Sequence, residues 1–380
     1  MAAMFPQETI FAHFERVHIF ALALVGIALC NLLTLRKPNR KIVTLEKPLV
    51  SILIPARNEE GTITRCLQSL LSQDYPRFEI LVWDDCSTDR TREILQTFRD
   101  GRFRWISGTE PPPGWLGKSW ACFNLAKNAQ GEILIFTDAD TWHEPSMVHT
   151  LVNEMLVSRL DALSGVAQEE TKTLGEKLTV PFLVWSVVAL YPHFLSSLFP
   201  RWRALAVGNG QLMAFRKKAY WAINGHQAVR GKVVEDIELA RLLRIHGYRY
   251  RLYNLTEIVS CRMYRNFQEA FRGLTKSYFW IFGGNTAFSI FVWSWLVFYT
   301  IYPFWLLFRQ HELARALLTI GANGFSWWVA SFFYCLTPWS IFLNPLITVI
   351  STLIGWSSII LTKTRRVIWK ERYILKAPPR

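Results

Sequence analysis

The chain has 380 residues, 43 Lys plus Arg against 29 Asp plus Glu, and a formal net charge of +14 at pH 7. It is 51% apolar, holds 17 Trp and 26 Phe, and has a positive mean hydropathy, which argues against an ordinary soluble domain and suits a membrane protein carrying a polar domain. The basic residues gather beside apolar runs, at Arg36, Lys37, Arg40, Lys41 and Lys47 and again at Lys363, Arg365, Arg366, Lys370 and Arg372; this is the charge bias of membrane flanks and sets nucleic acid aside as a partner. The six cysteines form no CxxC pair and the eight histidines no HxxxH or HExxH pattern, so a disulfide framework and a zinc hydrolase lack support.

Taken in chain order, residues 17–35 are apolar, free of Lys, Arg, Asp and Glu, and followed at once by basic residues. They read as an uncleaved signal anchor, since no A-x-A-like cleavage site follows. From residue 49 the pattern alternates, with strands expected at 49–54, 79–83, 103–106 and 132–137 and helices at 58–72, 88–98, 118–128 and 145–158. Strand and helix alternating at this spacing predict an α/β domain with a mostly parallel central sheet, whose ligands bind at the carboxyl ends of the strands. Further on come a strand-like 204–215, a short helix after Arg216, and a helix opening near Glu235 that Gly247 ends.

Residues 178–199 are apolar but broken by Pro181, Pro192 and His193, which suits an interfacial helix or an acceptor groove better than a clean span. Beyond residue 277 the chain stays apolar almost to Leu361, with spans expected at 288–308, 314–336 and 339–361. Three full spans after a cytoplasmic domain would put the basic tail 363–380 outside, against the positive-inside rule. One segment is therefore expected to be re-entrant or interfacial, unless the tail is an exception. The expected organisation is an anchor and basic linker at 1–48, a catalytic domain at 49–276, and a transmembrane region with a basic tail at 277–380.

The chemistry sits at expected strand ends. Pro55-Ala56-Arg57-Asn58-Glu59-Glu60-Gly61 closes the first strand and Asp84-Asp85-Cys86-Ser87-Thr88-Asp89 the second. Carboxylates there can accept from a nucleoside and Arg57 can face phosphate, although Asn58 and Ser87 or Thr88 could equally be helix caps. No GxGxxG follows the first strand, which argues against a dinucleotide dehydrogenase. Asp138 and Asp140 of Thr137-Asp138-Ala139-Asp140 fall on one face of an extended segment and can hold Mg²⁺ or Mn²⁺. In Val233-Val234-Glu235-Asp236-Ile237-Glu238 the acids either complement a helix dipole or supply Asp236 as a general base.

These motifs, in this order over residues 49–276, resemble family 2 glycosyltransferases of the GT-A fold. The resemblance implies an inverting, metal-dependent transfer from a UDP- or GDP-sugar. It gives Asp84 and Asp85 the nucleoside, Asp138 and Asp140 the metal and diphosphate, and Asp236 the role of base. Pro55, Arg57, Glu59, Lys118 and Asp138 complete the expected nucleotide-sugar site. Pro113-Gly114-Trp115-Leu116-Gly117-Lys118-Ser119-Trp120-Ala121 and Cys261-Arg262-Met263-Tyr264-Arg265 resemble lipid-directed members, carotenoid 2′-O-glycosyltransferases and hopanoid-associated enzymes among them. Arg262 and Arg265 could meet diphosphate or lipid headgroups. The Q-x-x-R-W motif of processive polysaccharide synthases is absent at Gln268-Glu269-Ala270-Phe271-Arg272-Gly273, which favours transfer of one sugar to one lipophilic acceptor. A multi-pass protein with its catalytic domain on the cytoplasmic face and a hydroxylated lipid, first a carotenoid, as acceptor is the expectation. The alternatives are a polyprenyl-phosphate, hopanoid or glycerolipid sugar transferase, or a membrane scaffold in polysaccharide export.

Overall fold

The computed structural model describes residues 16–374; residues 1–15 and 375–380, which belong to the expected anchor region and basic tail, lie outside the described residues. The described residues divide into two units, one of residues 35–170, 195–265 and 365–374, the other of residues 16–34, 171–194 and 266–364. Residues 171–194 and 365–374 are thus each grouped apart from their sequence neighbours.

The first unit is built on strands β1 (Val50–Ala56), β2 (Phe78–Asp84), β3 (Phe103–Ser107), β4 (Ile133–Thr137), β5 (Thr141–His143), β6 (Ala162–Val166), β7 (Gln168–Glu169), β8 (Leu212–Arg216), β9 (Tyr250–Asn254), β10 (Val259–Cys261), β11 (Ile368–Trp369) and β12 (Arg372–Tyr373). The main sheet runs β3-β2-β1-β4-β8-β6-β9, parallel throughout except where β8 lies antiparallel to β4 and β6. The expected mostly parallel sheet is present. Side-chain alternation along β1 feeds two cores: Val50, Ile52 and Ile54 pack with helices Ile63–Leu71 and Met147–Val157, while Leu53 packs with helices Gly117–Asn128 and Glu235–Ile245.

A detail of register opens the site. β1 pairs with β2 through Ala56, but with β4 only as far as Leu53. Past that point the two central strands part, and Pro55, which has no N–H to donate, sits where the ladder no longer needs one. The Asp138-Ala139-Asp140 turn joins β4 to β5, and β5 belongs to a second sheet, β5-β10-β7. The expected strand over 204–215 is confined to β8; Arg203–Leu205 is a 3₁₀ turn and the residues between are irregular. The interruption is at Gly208-Asn209-Gly210, where the chain presses on Asp236: a Cβ on Gly208 would run into the Asp236 carbonyl.

The second unit is helical. Val17–Thr34, Thr286–Leu306, Gln310–Tyr334 and Ser340–Lys363 are each long and apolar enough to cross a membrane. Within this unit residues 178–194 hold a short α-helix, Pro181–Trp185, which is largely buried, and a π-turn, Ser186–Leu190, in which Val188 and Ala189 are buried, so the expected apolar stretch is packed against protein rather than left open. Trp185 stacks on Trp327 at 5.0 Å and donates to Ser326 Oγ at 3.0 Å. Asn31 makes the break tolerable: its Nδ2 donates to the carbonyls of Val188 (2.8 Å) and Tyr191 (2.6 Å), and its Oδ1 accepts from the Phe194 N–H at 3.0 Å. One amide side chain thus replaces the bonds that a π-turn and Pro192 take from the backbone. Among the described residues of the expected stretch, Leu198 and Phe199 at its end, in the first unit, are exposed.

Asn31→Leu would strand these backbone groups, each at a cost of about 1–3 kcal/mol when buried. The variant is expected to unfold at a clearly lower temperature in detergent than the parent chain; equal midpoints would show that the Asn31 bonds are dispensable.

Candidate active site

Lys118 sits in the first turn of helix Gly117–Asn128, where the helix dipole disfavours a cation. Its partners explain the placement. The ammonium lies 2.7 Å from Asp138 Oδ1 at the end of β4 and 3.3 Å from Glu235 Oε1 at the start of helix Glu235–Ile245. Burial works against its charge, but the Asp138 and Glu235 carboxylates outweigh burial and hold its pKa well above the usual range. Asp236 stands beside this group, its Oδ2 accepting from the Gly210 N–H and its Oδ1 from the Ile237 N–H, both at 2.8 Å. Burial first, and neighbouring Glu235 second, raise the Asp236 pKa to about 6, against the pull of Lys118 and the two N–H groups. Lys118, Asp138, Glu235, Asp236 and Gly210 line one cleft with Pro55 and Thr137, and a neutral, buried His226 closes its wall.

The fit of a divalent cation can be judged from Asp140. Its Oδ1 is buried without a hydrogen-bond partner among the described residues. Burial, then Asp138 and Glu59, push its pKa up to about 7 against the pull of Lys370 and Lys118, and a bound cation would favour its charged form. Among the described residues no cluster of three or more His, Cys, Asp or Glu could bind an ion alone. Two carboxylates with the remaining ligands taken from phosphate and water is the pattern that suits Mg²⁺ or Mn²⁺, and Asp138 and Asp140 fit it.

The other expected nucleotide residues, Arg57, Glu59, Asp84 and Asp85, are not among those lining that cleft. Asp84 is buried and engaged internally, with Oδ1 accepting from the Ser87 N–H at 3.1 Å and Oδ2 pairing with Arg92 at 3.1 Å. Arg57 Nη1 donates to the carbonyls of Asp85 (2.6 Å) and Cys86 (2.9 Å) rather than pointing outward. Asn58 and Ser87 cap no helix here: the Asn58 N–H donates to Ser87 Oγ, and Asn58 Oδ1 accepts from the Thr88 N–H, tying the two strand-end loops together. Asp85 pairs with Arg372 at 2.6 Å and Glu59 with Lys370, both partners coming from the C-terminal hairpin β11-β12. The Arg262 N–H donates to the Asp140 carbonyl at 3.3 Å, and the Arg265 guanidinium lies over Gly61, so these arginines border the same loops.

Residues 51–223 match a family model described as glycosyl transferase family 2. Over residues 51–223 the chain is therefore similar to family 2 glycosyltransferases. Asp236 lies beyond the matched stretch. The chain is 28% identical over 239 residues to the 4,4'-diaponeurosporenoate glycosyltransferase of Staphylococcus aureus strain USA300, and 27% identical over 239 residues to that of strain bovine RF122. In both alignments the match covers 62% of this chain and 62% of the relative's length. A mannosyltransferase from Pyrobaculum calidifontis, solved in complex with GDP-Man and Mn2+, superposes with a TM-score of 0.52 at 18% identity, over 92% of this chain and 99% of that one. At that identity the likeness is one of fold, and it makes the sheet GT-A-like.

Several residues around the cleft carry no motif in the sequence. Glu235 was visible only as the neighbour of Asp236. Gly208 and Gly210 had a signal, two glycines inside an apolar stretch, but nothing local said that a carboxylate and a carbonyl would approach them. Glu169, buried and bonded by Gln211, has its pKa raised to about 8 by burial; it carries no sequence mark that distinguishes it from a surface acid. Lys370 and Arg372 were read as membrane-flank charges.

Proposed function

We propose that the chain is a membrane-bound inverting glycosyltransferase that moves one sugar from a UDP- or GDP-sugar to a lipophilic acceptor, a hydroxylated carotenoid first. The observation that carries this is the cleft in which Lys118, Asp138 and Asp236 converge at the carboxyl ends of the strands. Asp236 is held by two backbone N–H groups with its pKa raised to about 6, matched to taking a proton near neutral pH. A hydroxyl directed at Asp236 gives up its proton there as its oxygen attacks the anomeric carbon, and a single displacement inverts that centre. Asp138 and Asp140 would hold Mg²⁺ or Mn²⁺, which when bound neutralises the diphosphate leaving group. Lys118 adds a positive charge on the same side, and Asp85 would accept from the nucleobase. Asp84, with both oxygens used internally, shapes the loop that presents Asp85.

A second reading concerns the acceptor. The S. aureus relatives are named for a substrate ending in "-oate", a carboxylate. A carboxylate nucleophile is already ionised at neutral pH and needs no base. Under that reading Asp236 positions the acceptor but removes no proton.

The basic residues 36–41 beside helix Val17–Thr34 support a cytoplasmic catalytic unit. The Arg372 bond to Asp85 within that unit supports the same side for residues 365–374. The chain then crosses an even number of times between residues 265 and 365, so the apolar helices there are full crossings only in an even total.

Turnover with a lipid alcohol is expected to fall through pH about 6 as Asp236 takes up its proton, and Asp236→Asn should lower it by about 10²–10⁴-fold. The measurement is transfer of labelled UDP- and GDP-hexoses in nanodiscs, with a carotenoid alcohol, a carotenoid acid or a soluble saccharide as acceptor. Label found only in the soluble saccharide would refute a lipid acceptor, and an Asp236→Asn defect confined to the alcohol would place the base on the hydroxyl reaction. For topology, single cysteines at Tyr373 and Asp89 are expected to react with an impermeant reagent from one side; labelling from opposite sides would refute the even count.

A further inference from the structure

The C-terminal hairpin is held by the residues expected to take the nucleoside half of the donor. β11 and β12 pair through Ile368 with Tyr373 and Trp369 with Arg372, leaving Lys370 and Glu371 as a two-residue tip with φ of 45° and 65°. Such a turn ordinarily uses Asn-Gly, because both central residues are left-handed. Lys-Glu has no such freedom, so the contacts around the tip must hold it there. Lys370 Nζ pairs with Glu59, and its carbonyl accepts from Arg57 Nε at 3.0 Å. Glu371 accepts from Thr88 Oγ1 at 3.1 Å. Arg372 reaches Asp85 at 2.6 Å and Glu110 at 2.8 Å. It is wedged in place: a Cβ on Gly117 would lie 2.6 Å from Asp85 Oδ2 and 2.9 Å from Arg372 Nη1.

The consequence is steric as well as electrostatic. Asp85 is only 4% exposed, and its second oxygen, Oδ1, is buried with no hydrogen-bond partner among the described residues. A nucleobase cannot reach that carboxylate while the guanidinium is on it. Arg372 offers Asp85 planar N–H donors of the kind a base edge offers, and the hairpin also engages Arg57 and Glu59. The Lys118, Asp138 and Asp236 end remains a cleft without hairpin residues in its lining.

We propose that residues 368–373 are a built-in competitor for the nucleoside subsite: the hairpin and the donor's nucleoside exclude one another on Asp85, and Arg372 sets the donor affinity. The proposal rests on the reading of Asp85 as a nucleoside-binding acid. A site occupied by its own tail binds ligand only in the fraction of molecules whose tail has left, so weakening the tail raises apparent affinity.

The test uses the full chain in nanodiscs, with UDP and GDP, each with Mn²⁺, as probes in isothermal titration calorimetry. Arg372→Ala is expected to tighten binding of the preferred nucleotide by roughly threefold or more. In the Arg372→Ala background, where no guanidinium competes, a further Asp85→Asn is expected to weaken it roughly tenfold. Limited trypsin digestion reports the hairpin itself: cleavage after Lys370 and Arg372 is expected to be slow in the free chain and fast with saturating nucleotide. Unchanged or weaker binding in Arg372→Ala, with the double variant weaker still, would overturn the competition while leaving the nucleoside assignment standing. So would nucleotide binding that leaves the trypsin sites protected. No effect of Asp85→Asn on either nucleotide in the Arg372→Ala background would overturn the assignment, and the competition with it.

Discussion

A single ammonium group, that of Lys118, is shared between a strand end and a helix start, and the cleft is arranged around it. Asp138 comes from β4, Glu235 and Asp236 from a helix nearly a hundred residues later, and like charges so close would separate without a cation among them. Lys118 sits against its own helix dipole to provide that cation. The glycines at 208 and 210 are a second condition of the same arrangement: they let a loop come close enough for a backbone N–H to meet Asp236. Stability and chemistry are coupled here, since the interaction that keeps the acids together also tempers the rise in the Asp236 pKa.

The helical unit solves a different problem with the same economy. Apolar helices of spanning length need no help, but a Pro-broken segment buried among them leaves backbone groups without partners. Asn31 supplies three of the missing bonds, and inside the long helices Asn323 Nδ2 donates to Asn344 Oδ1 at 2.9 Å while Ser331 and Ser340 meet at 2.9 Å. These pairs compensate the burial of the groups that make them, whereas Ser289 Oγ, Tyr299 Oη and Tyr334 Oη are buried in the same helices with no hydrogen-bond partner among the described residues.

The parts legible from sequence were those whose signal is local. The alternation of apolar residues located β1 to β4 and the helices between them, and the strand-end positions of Asp138 and Asp140 followed from the same pattern. The place of Asp236 in the first turn of a helix was legible because its acids open that helix. The remainder depends on pairs far apart in the chain. Arg372 lies 287 residues from Asp85, and next to an apolar run it carries the signature of a membrane flank, which hid its contact with the catalytic unit. Residues 178–199 misled in a similar way: prolines and a histidine in an apolar stretch argue for the water interface, unless a partner such as Asn31 is available elsewhere, and no local feature announces one.

The central claim is that Asp236 and the Lys118 cluster carry out one in-line displacement, whatever nucleophile the acceptor offers. The most direct measurement is the anomeric configuration of the first product, read by proton NMR after transfer from a nucleotide-sugar of known α configuration. The account expects a β-linked sugar, the inverted centre; an α-linked product, formed with retention, would contradict it.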